Sequence, residues 1–394
     1  MRGPAPLVAL TLLLAACGGG GDADPTPTAP LADTPASVPT VVDSTATPPP
    51  VAIPNTEPAA NITLPDGFAA YAIADGIFRP TSLALAPDGT LYVATRHDGV
   101  FRLVDADGDG VFEERPRFTE GFDETTGAAF SPDGVLHVSS RGRVTAFSDT
   151  DGDTVADASD EIVSGLPNGR HQNNGIAFGP DGRLYITNGS TCDDTASDCP
   201  ASGERDELSA TILVANADGS GLQVYATGLR NPYDLAFTSG GVLWATDNGS
   251  DTLCETPDEL NLIIDGDDYG WPYGDACDPL SDGTPPVAGL GLHTASTGVT
   301  VYEATHFPAA YQGNIFLTLW GSFFAEPELT PGLYRAVIQG RSDSPAGGPP
   351  RSALVGPFGS GWSNTIDVLV DRDGTLLVLD YGAETLYRIV YTGD

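Results

Sequence analysis

The chain has 394 residues, of which 40% are hydrophobic, and it carries a formal net charge of −37. All 17 basic residues are arginines, because the sequence contains no lysine. A surface this acidic repels nucleic acid and anionic membranes, which argues against both as partners. The 48 glycines and 33 prolines indicate many turns, and so an all-β protein with a disordered segment.

The first residues have the pattern of an export signal. An apolar run of about ten residues, from Leu7 to Ala16, is too short to span a bilayer. It ends in Leu14-Ala15-Ala16-Cys17, which resembles a bacterial lipobox, in which the cysteine is lipidated. We predict a lipoprotein signal peptide over residues 1–17 and an exported protein, anchored through Cys17 and facing the periplasm or the cell exterior. An ordinary cleaved signal with an incidental cysteine is the alternative.

Residues 18–61 are rich in proline, threonine, alanine and aspartate and have few large apolar side chains. Such a segment cannot bury enough surface to offset its ordering entropy, so we predict a disordered, extended linker. The folded domain is predicted over residues 62–394. No later stretch is long and apolar enough to cross a membrane.

Four further cysteines follow the linker. In an exported protein, an even set of cysteines indicates disulfides. We predict the nearest-neighbour pairs Cys192–Cys199 and Cys254–Cys277, because each bond would close one loop. Zinc binding by the four cysteines is the alternative, although the sequence has no tight CxxC pair.

The folded part contains six copies of one pattern, in which an alternating strand, a tight turn and a second strand follow each other. The copies begin at Ser82, Gly127, Gly175, Asp234, Thr300 and Asp367. The first three turns read Pro-Asp-Gly, where proline fixes φ and glycine accepts a positive φ. These turns lie about 45 residues apart, the length of a four-stranded propeller blade. The sequence therefore predicts an all-β fold, a six-bladed β-propeller of four-stranded blades.

Two acidic runs lie between the first blades, one blade apart. They place carboxylates at alternating positions around a glycine, as the start of a calcium loop does. Neither is a full EF-hand, because the first has Pro116 at the closing position and the second has Thr154 where glycine is usual. Structural calcium and plain acidic turns both stay open. The candidate ligands are Asp105, Asp107, Asp109, Asp149, Asp151 and Asp153.

Four motifs in the middle of the chain carry a family resemblance. They are His171 followed by Gly175-Ile-Ala-Phe-Gly-Pro-Asp-Gly, then Gly228-Leu-Arg-Asn-Pro-Tyr-Asp, Asp258-Glu-Leu-Asn and Asp268-Tyr-Gly-Trp-Pro. Together they resemble the glucose/sorbosone dehydrogenase family, over about residues 63–392. These are soluble or periplasmic quinoproteins that use pyrroloquinoline quinone (PQQ). The resemblance implies a propeller enzyme that oxidises an aldose or sugar aldehyde at the reducing carbon, with hydride transfer to PQQ.

The resemblance also implies roles for three residues. His171 would be the general base that takes the sugar's hydroxyl proton, a role suited to imidazole because its pKa lies near working pH. Arg230 would hydrogen-bond the quinone oxygen that becomes negative, and Asn231 would assist it. The structural alternatives are a satisfied histidine at a blade entrance and an arginine salt bridge within the acidic surface.

Calcium positions are implied as well. The backbone carbonyls of Gly249 and Ser250 match the positions that hold the cofactor's Ca²⁺. Asp258, Glu259 and the region of Tyr269 match a second calcium-binding turn. A divalent ion beside a quinone raises its electrophilicity.

The chain departs from the family late in the sequence, where Lys or Arg usually contacts the carboxylates of PQQ. The fifth-blade stretch reads Leu319-Trp-Gly-Ser-Phe-Phe, and the sixth-blade entrance reads Gly361-Trp-Ser-Asn. Arg96 and Arg141, which are equivalent in their blades, and Arg79 are the candidate substitutes.

Two other functions stay open at this stage. Loss of the late cations would suit a non-catalytic propeller that binds carbohydrate or protein. A lactonase-type hydrolase with a channel calcium would need several inward acidic or amide ligands, and no corresponding set stands out. The substrate sugar and the electron acceptor are not encoded in any motif, since propeller specificity lies in the loops.

Overall fold

The computed structural model describes residues 51, 53–192, 206–250, 255–272, 283–322, 326–339 and 352–393. All of them belong to the unit Pro48–Asp394. The predicted signal peptide with Cys17, most of the predicted linker, and Cys199, Cys254 and Cys277 lie outside the described residues. Cys192 is disulfide-bonded. Because the other cysteines lie outside the described part, the predicted pairing stays a prediction.

The described residues are almost entirely strands and turns. The first twelve strands are β1 (Phe68–Ala74), β2 (Pro80–Leu85), β3 (Leu91–Thr95), β4 (Gly99–Arg102), β5 (Arg117–Thr119), β6 (Gly127–Phe130), β7 (Leu136–Ser140), β8 (Arg143–Ser148), β9 (Ala158–Ser164), β10 (Asn173–Phe178), β11 (Leu184–Asn188) and β12 (Thr211–Ala215). The others are β13 (Gln223–Thr227), β14 (Pro232–Phe237), β15 (Leu243–Asp247), β16 (Glu259–Ile263), β17 (Ala288–Gly289), β18 (Ser296–Tyr302), β19 (Asn314–Leu319), β20 (Gly332–Gln339), β21 (Ser352–Pro357), β22 (Thr365–Val370), β23 (Leu376–Asp380) and β24 (Thr385–Tyr391). One 3₁₀ turn, Ala309–Tyr311, precedes β19. No helix in the described ranges is long and apolar enough to cross a bilayer.

These strands form six antiparallel sheets of four strands each, so the predicted six-bladed propeller is confirmed. Blades I to V are β2–β5, β6–β9, β10–β13, β14–β17 and β18–β21, and blade VI is β22–β24 with β1. The first strands of successive blades contact one another, and β22 contacts β2 to complete the ring. Because β1 pairs with β24, the start of the propeller supplies the outer strand of its last blade.

The repeated turns form as their residues predict. Between β2 and β3, the Ala86 N–H donates to the Thr90 carbonyl at 2.9 Å, and Gly89 adopts a φ of +94°. The Asp88 carboxylate accepts a hydrogen bond from the Thr90 N–H at 2.8 Å, which fixes the turn. Gly134, Gly182, Gly241 and Gly374 adopt the same left-handed conformation in the equivalent turns. Alternating apolar residues on the strands between them pack between blades, where a hydrophobic strand pattern is expected to bury its side chains.

Two buried carboxylates tie neighbouring blades together. Asp234 of blade IV accepts a hydrogen bond from the Val299 N–H of blade V at 3.0 Å. Asp367 of blade VI accepts one from the Leu83 N–H of blade I at 2.6 Å. Burial raises the pKa of Asp234 to about 6. These carboxylates hold the inner strands of neighbouring blades against each other.

The last residues of the predicted linker lie on the propeller. The Asn55 N–H donates to the Asp109 carbonyl at 2.8 Å, and the Ala59 N–H donates to the Ala70 carbonyl at 2.8 Å. Pro54 is buried beside Gly110. This end of the segment differs from the prediction because its few apolar residues find partners on blades I and VI.

Candidate functional site

One face of the propeller collects the loops that precede each inner strand and those that follow each second strand. At its centre lies a cavity of about 300 Å³. Its lining includes Arg96, Glu124, Asn231, Asn248, Trp320 and Tyr381. These residues come from loops of blades I, II, IV, V and VI, so the cavity lies where the blades converge. A concave site in which a small number of polar groups converge is the default position for a small-molecule ligand.

His171 lies in the loop before β10, on the side of the cavity formed by blades III and IV. Its N–H donates to the Ser190 carbonyl at 3.1 Å, and its carbonyl accepts from the Gly169 N–H at 2.9 Å. A Cβ on Gly189 would lie 2.5 Å from the His171 Cβ and 2.6 Å from the Asn231 Oδ1. His171 and the cavity-lining Asn231 therefore flank the same glycine, and only a residue without a side chain fits between them.

The ring of His171 is mostly buried, and this sets its charge. Burial lowers the pKa of His171 well below its usual value of 6.5, and the charges of Arg230 and Arg170 lower it further. The imidazole is therefore neutral at neutral pH. A neutral imidazole is the form that can accept a proton.

Arg230 and Asn231 lie in the loop before β14. Asp247, at the end of β15, accepts hydrogen bonds from the Arg230 N–H at 3.0 Å and the Asn231 N–H at 2.7 Å. The Arg230 guanidinium donates through Nη1 to the Gly249 carbonyl at 2.6 Å and the Asn248 carbonyl at 3.1 Å, and it lies 5.8 Å from the ring centre of Trp271. The Arg230 residue is only 3% exposed. It is thus held at one position beside the cavity.

Asn231 is oriented by its neighbour in blade III. Its Oδ1 accepts a hydrogen bond from the Asn174 Nδ2 at 2.9 Å. This hydrogen bond fixes the orientation of the amide, whose nitrogen can donate to a ligand in the cavity.

The predicted calcium carbonyl at Gly249 has a different neighbour in the structure. The Gly249 carbonyl accepts a hydrogen bond from the guanidinium of Arg230, a cation of the chain itself. Ser250 is buried, and its N–H donates to the Thr256 Oγ1 at 2.8 Å. Both residues follow Asn248, which lines the cavity, and calcium at their carbonyls stays a prediction.

The second predicted calcium turn uses its side chains for other contacts. Asp258 accepts hydrogen bonds from the Gly249 N–H at 2.9 Å, the Thr294 hydroxyl at 2.8 Å and the Ser296 N–H at 2.8 Å. The Tyr269 hydroxyl donates to the Leu262 carbonyl at 2.5 Å. The side chains of Asp258 and Tyr269 therefore make hydrogen bonds within the fold, and calcium at this turn stays a prediction.

Glu259 is buried next to this carboxylate. It accepts a hydrogen bond from the Asn261 Nδ2 at 3.1 Å. Burial raises the pKa of Glu259 to about 7, with a contribution from the charge of Asp258. Calcium binding at Glu259 stays a prediction.

The two acidic loops gather their carboxylates, but they lie within blades I and II, between β4 and β5 and between β8 and β9, and not between blades as predicted. In the described residues, Asp105, Asp107, Asp109 and Glu113 form one group with ligand atoms within 4.8 Å of one another, and Asp149, Asp151 and Asp153 form another. Each loop is folded by its first aspartate, which accepts N–H donors three and five residues later. Thr154 adopts a φ of +71° where the first loop has Gly110 at +86°, so the loop forms without the expected glycine. Calcium binding there stays a prediction.

The predicted substitute cations Arg96 and Arg141 follow the second strands of blades I and II. Glu124 accepts hydrogen bonds from both, at 2.7 Å from the Arg96 Nη2 and 2.9 Å from the Arg141 Nη2. Arg141 also lies 3.4 Å from Asp123. Arg79 is exposed, with its guanidinium 5.1 Å from the Phe78 ring centre. The sequence prediction missed Glu124, because no local pattern links it to arginines in two different loops.

One known protein family matches most of the propeller. The family described as "Domain of unknown function (DUF7133)" matches residues 94–319, more than half of the sequence. The chain belongs to this family. The matched span runs from the second strand of blade I to the second strand of blade V, and it includes His171, Arg230 and Asn231.

A curated relative connects the chain with quinoproteins. This chain is 30% identical over 138 residues to quinoprotein glucose dehydrogenase B of Acinetobacter calcoaceticus, and the match spans 28% of this chain and 28% of the relative. This homology confirms the resemblance that the motifs predict. The matched part is under a third of the relative's length.

Solved structures share the fold over nearly their whole length. The PQQ-bound aldose sugar dehydrogenase of Streptomyces coelicolor matches with a TM-score of 0.62 and 23% identity, over 83% of this chain and 99% of that one. The calcium structure of a Trichoderma reesei enzyme of carbohydrate-active family AA12 matches with a TM-score of 0.68 and 16% identity, over 86% and 99%. At these identities the likeness establishes the six-bladed fold.

Proposed function

We propose that this protein oxidises an aldose or sugar aldehyde at its reducing carbon and passes the hydride to PQQ bound in the central cavity. The observation that carries the proposal is the convergence of His171, Arg230 and Asn231 at one side of that cavity. The homology to a quinoprotein glucose dehydrogenase supports it. A neutral base, a fixed cation and an amide donor are the groups that proton removal and a developing negative charge require.

The residues around the cavity fit PQQ, a planar molecule with three carboxylates. Trp320 and Tyr381 line the cavity with flat side chains, their ring centres 6.2 Å apart. Asn231 and Asn248 add amide groups, and Arg96 adds a guanidinium. Arg79, Arg96, Arg141, Arg170 and Arg230 all lie in loops of this face. The sequence has 17 basic residues in all, so this face carries five of the cations that could contact the carboxylates of PQQ.

Each residue of the site has a defined task in this proposal. Bound PQQ would supply a quinone that accepts a hydride. The His171 imidazole would take the hydroxyl proton of the sugar, since its lowered pKa keeps it neutral. Arg230 would hold a negative oxygen without reorganising, because the Gly249 and Asn248 carbonyls fix its guanidinium. Arg96, Arg141 and Asn231 would hold the cofactor.

Calcium is part of the same proposal. The acidic loops Asp105–Glu113 and Asp149–Asp153 present clustered carboxylates and would bind structural Ca²⁺ at extracellular concentrations. Gly249 and Ser250 follow the cavity-lining Asn248, and an ion bound at their carbonyls would act on the cofactor. Support comes from the loops' shared hydrogen-bond pattern.

We further propose that the protein is exported and held at the membrane by lipid on Cys17. The support is the lipobox-like Leu14-Ala15-Ala16-Cys17 after a short apolar run. Its electron acceptor would then lie in the periplasm or at the cell exterior. Metabolic labelling with a fatty acid analogue, compared with Cys17→Ser, tests this: label on the wild type alone is expected, and equal label on both would contradict it.

A second function has its own supporting observation. Glu124 pairs with Arg96 and Arg141, and the late stretches around Trp320 and Trp362 contain no arginine or lysine. A propeller with these features could bind carbohydrate without turning it over.

Turnover separates the two functions. The full-length protein is loaded with PQQ and Ca²⁺ and assayed against a panel of aldoses with a dye acceptor. Sugar-dependent dye reduction that disappears in His171→Ala establishes the oxidation. Saturable sugar binding that His171→Ala leaves unchanged, with no dye reduction, would establish the binding protein instead.

A further inference from the structure

Glu124 occupies an unusual position at the rim of the cavity. Its two carboxylate oxygens bind two arginines from neighbouring blades, Oε1 to the Arg96 Nη2 at 2.7 Å and Oε2 to the Arg141 Nη2 at 2.9 Å. Arg96 follows β3 of blade I, and Arg141 follows β7 of blade II. A charge-assisted fork of this kind is geometrically specific. Its arginines are the cations of this side of the cavity that a ligand carboxylate would need.

The backbone holds Glu124 there against its own preference. Glu124 has a φ of +52°, a left-handed conformation that non-glycine residues seldom adopt. The Gln172 Nε2 donates to the Glu124 carbonyl at 3.0 Å, and the Thr125 N–H donates to the Arg96 carbonyl at 3.0 Å. Strain that the surroundings maintain is concentrated at functional sites. Since Gln172 follows His171, the same contact joins Glu124 to the loop of the proposed base.

The neighbouring groups leave capacity for a ligand. Arg96 lines the cavity, and its side chain is 42% exposed despite the ion pair. Thr125 also lines the cavity and is fully buried, and its hydroxyl has no hydrogen-bond partner within the described residues. Arg96 therefore keeps exposed side-chain surface for a ligand, in the same cavity wall as Thr125.

Glu124 is ionised in this setting. Burial acts to raise the pKa of Glu124, but the hydrogen bonds and charges of Arg96 and Arg141 outweigh it and hold the pKa below its usual value. The more exposed Asp123 adds a second negative charge beside Arg141. The chain therefore compensates these two arginines with its own carboxylates.

We propose that Glu124 is the built-in counter-ion of a carboxylate-binding subsite at Arg96. A carboxylate of an aromatic polycarboxylate ligand competes with Glu124 for the Arg96 guanidinium, and Glu124 thereby limits the ligand's affinity. The inference rests on the proposed function for its ligand, because PQQ belongs to this chemical class. It adds a residue that sets affinity from the loop next to that of His171, which Gln172 joins to it.

The test measures binding by the full-length protein without any turnover. Wild type, Glu124→Gln and the control Glu161→Gln are each titrated with PQQ and with isophthalate, a simple aromatic dicarboxylate. Glu161 suits the control because it also pairs with an arginine, Arg143 at 3.2 Å, outside the cavity. Removing one charge beside the ligand should tighten binding about tenfold for Glu124→Gln, and Glu161→Gln should match the wild type.

The outcomes separate this inference from the proposed function. PQQ that binds the wild type but no tighter to Glu124→Gln, with isophthalate also unchanged, overturns the inference and leaves the function standing. If isophthalate binds Glu124→Gln more tightly than the wild type while PQQ binds neither protein, the subsite is supported and PQQ is excluded as the cofactor. If Glu124→Gln does not fold, Arg96→Gln decides: it should weaken isophthalate binding about tenfold, and unchanged binding overturns the subsite.

Discussion

The two sides of the central cavity hold their charged groups in opposite ways. On the side of blades III and IV, Arg230 is 3% exposed and donates to backbone carbonyls, and His171 is neutral. On the side of blades I and II, Arg96 and Arg141 keep side-chain exposures of 42% and 39% and share one carboxylate. The first arrangement is fixed before any ligand arrives, as catalysis requires. The second can exchange its partner, as binding requires.

The largest effect should come from the fixed side. Replacing His171 by alanine removes the proposed base, and general-base catalysis typically contributes about 100- to 10,000-fold to a rate. We expect sugar oxidation to fall by that factor while PQQ binding stays within about threefold, because His171 is not a cofactor-holding residue. His97→Ala, an exposed histidine after β3, is the matched control. Equal activity of the two variants would contradict the role of His171.

The support beneath the fixed side gives the next effect. Asp258→Ala would leave the Gly249 N–H, the Thr294 hydroxyl and the Ser296 N–H without their acceptor. Each unsatisfied buried group costs about 1–3 kcal/mol, so we expect the free energy of unfolding to fall by roughly 3 kcal/mol or more. Denaturant unfolding with and without a chelator measures it. A loss that vanishes in the chelator would show that Asp258 is a calcium ligand rather than an internal acceptor.

The pH dependence of the fixed side follows from the lowered pKa of His171. Activity requires the neutral ring, so the acid limb of kcat/KM should lie well below pH 6.5. The same group makes stability fall as the pH drops below 6.5, because the unfolded state binds the proton first. His171→Gln should remove this part of the stability profile. An acid limb at or above pH 6.5 would argue that the ring is solvated and not buried.

The smallest effect concerns the outer loops of the two blades that carry Arg96 and Arg141. Chelation of Ca²⁺ should lower Tm by a few degrees, because an ion that binds only the folded state stabilises it. Asp105→Asn with Asp149→Asn should lose this response, and Asp133→Asn, in an exposed turn, should keep it. A chelator response of the same size in the double variant would place the responsible calcium elsewhere.

The fold could be predicted from the sequence because each blade contains its own strand–turn–strand pattern. The Pro-Asp-Gly turns and the alternating strands repeat within about 45 residues, and every such signal is read from neighbouring residues. The prediction for His171, Arg230 and Asn231 rests on a family resemblance carried by short motifs just before inner strands, and the roles of these residues stay predictions.

The rest of the site depends on partners far apart in the chain. The hydrogen bonds that Asp258 accepts come in part from Thr294 and Ser296, which lie 36 and 38 residues later, so no local pattern predicts them. Glu124 carries no motif, and its importance appears only when the loops after β3 and β7 meet. A pattern of residue types cannot distinguish a carboxylate that binds a metal from one that binds the backbone or a guanidinium.

The most direct test of the account is an equilibrium titration of the calcium-loaded full-length protein with PQQ, followed by tryptophan fluorescence. Trp320 lines the cavity, so a ligand bound there should quench its emission. If PQQ binds in this cavity, quenching should saturate at about one PQQ per chain. In Trp320→Phe the quenching should be smaller, while absorbance should still show PQQ binding. Absence of saturable binding at micromolar PQQ would contradict the central claim that this face is a cofactor site.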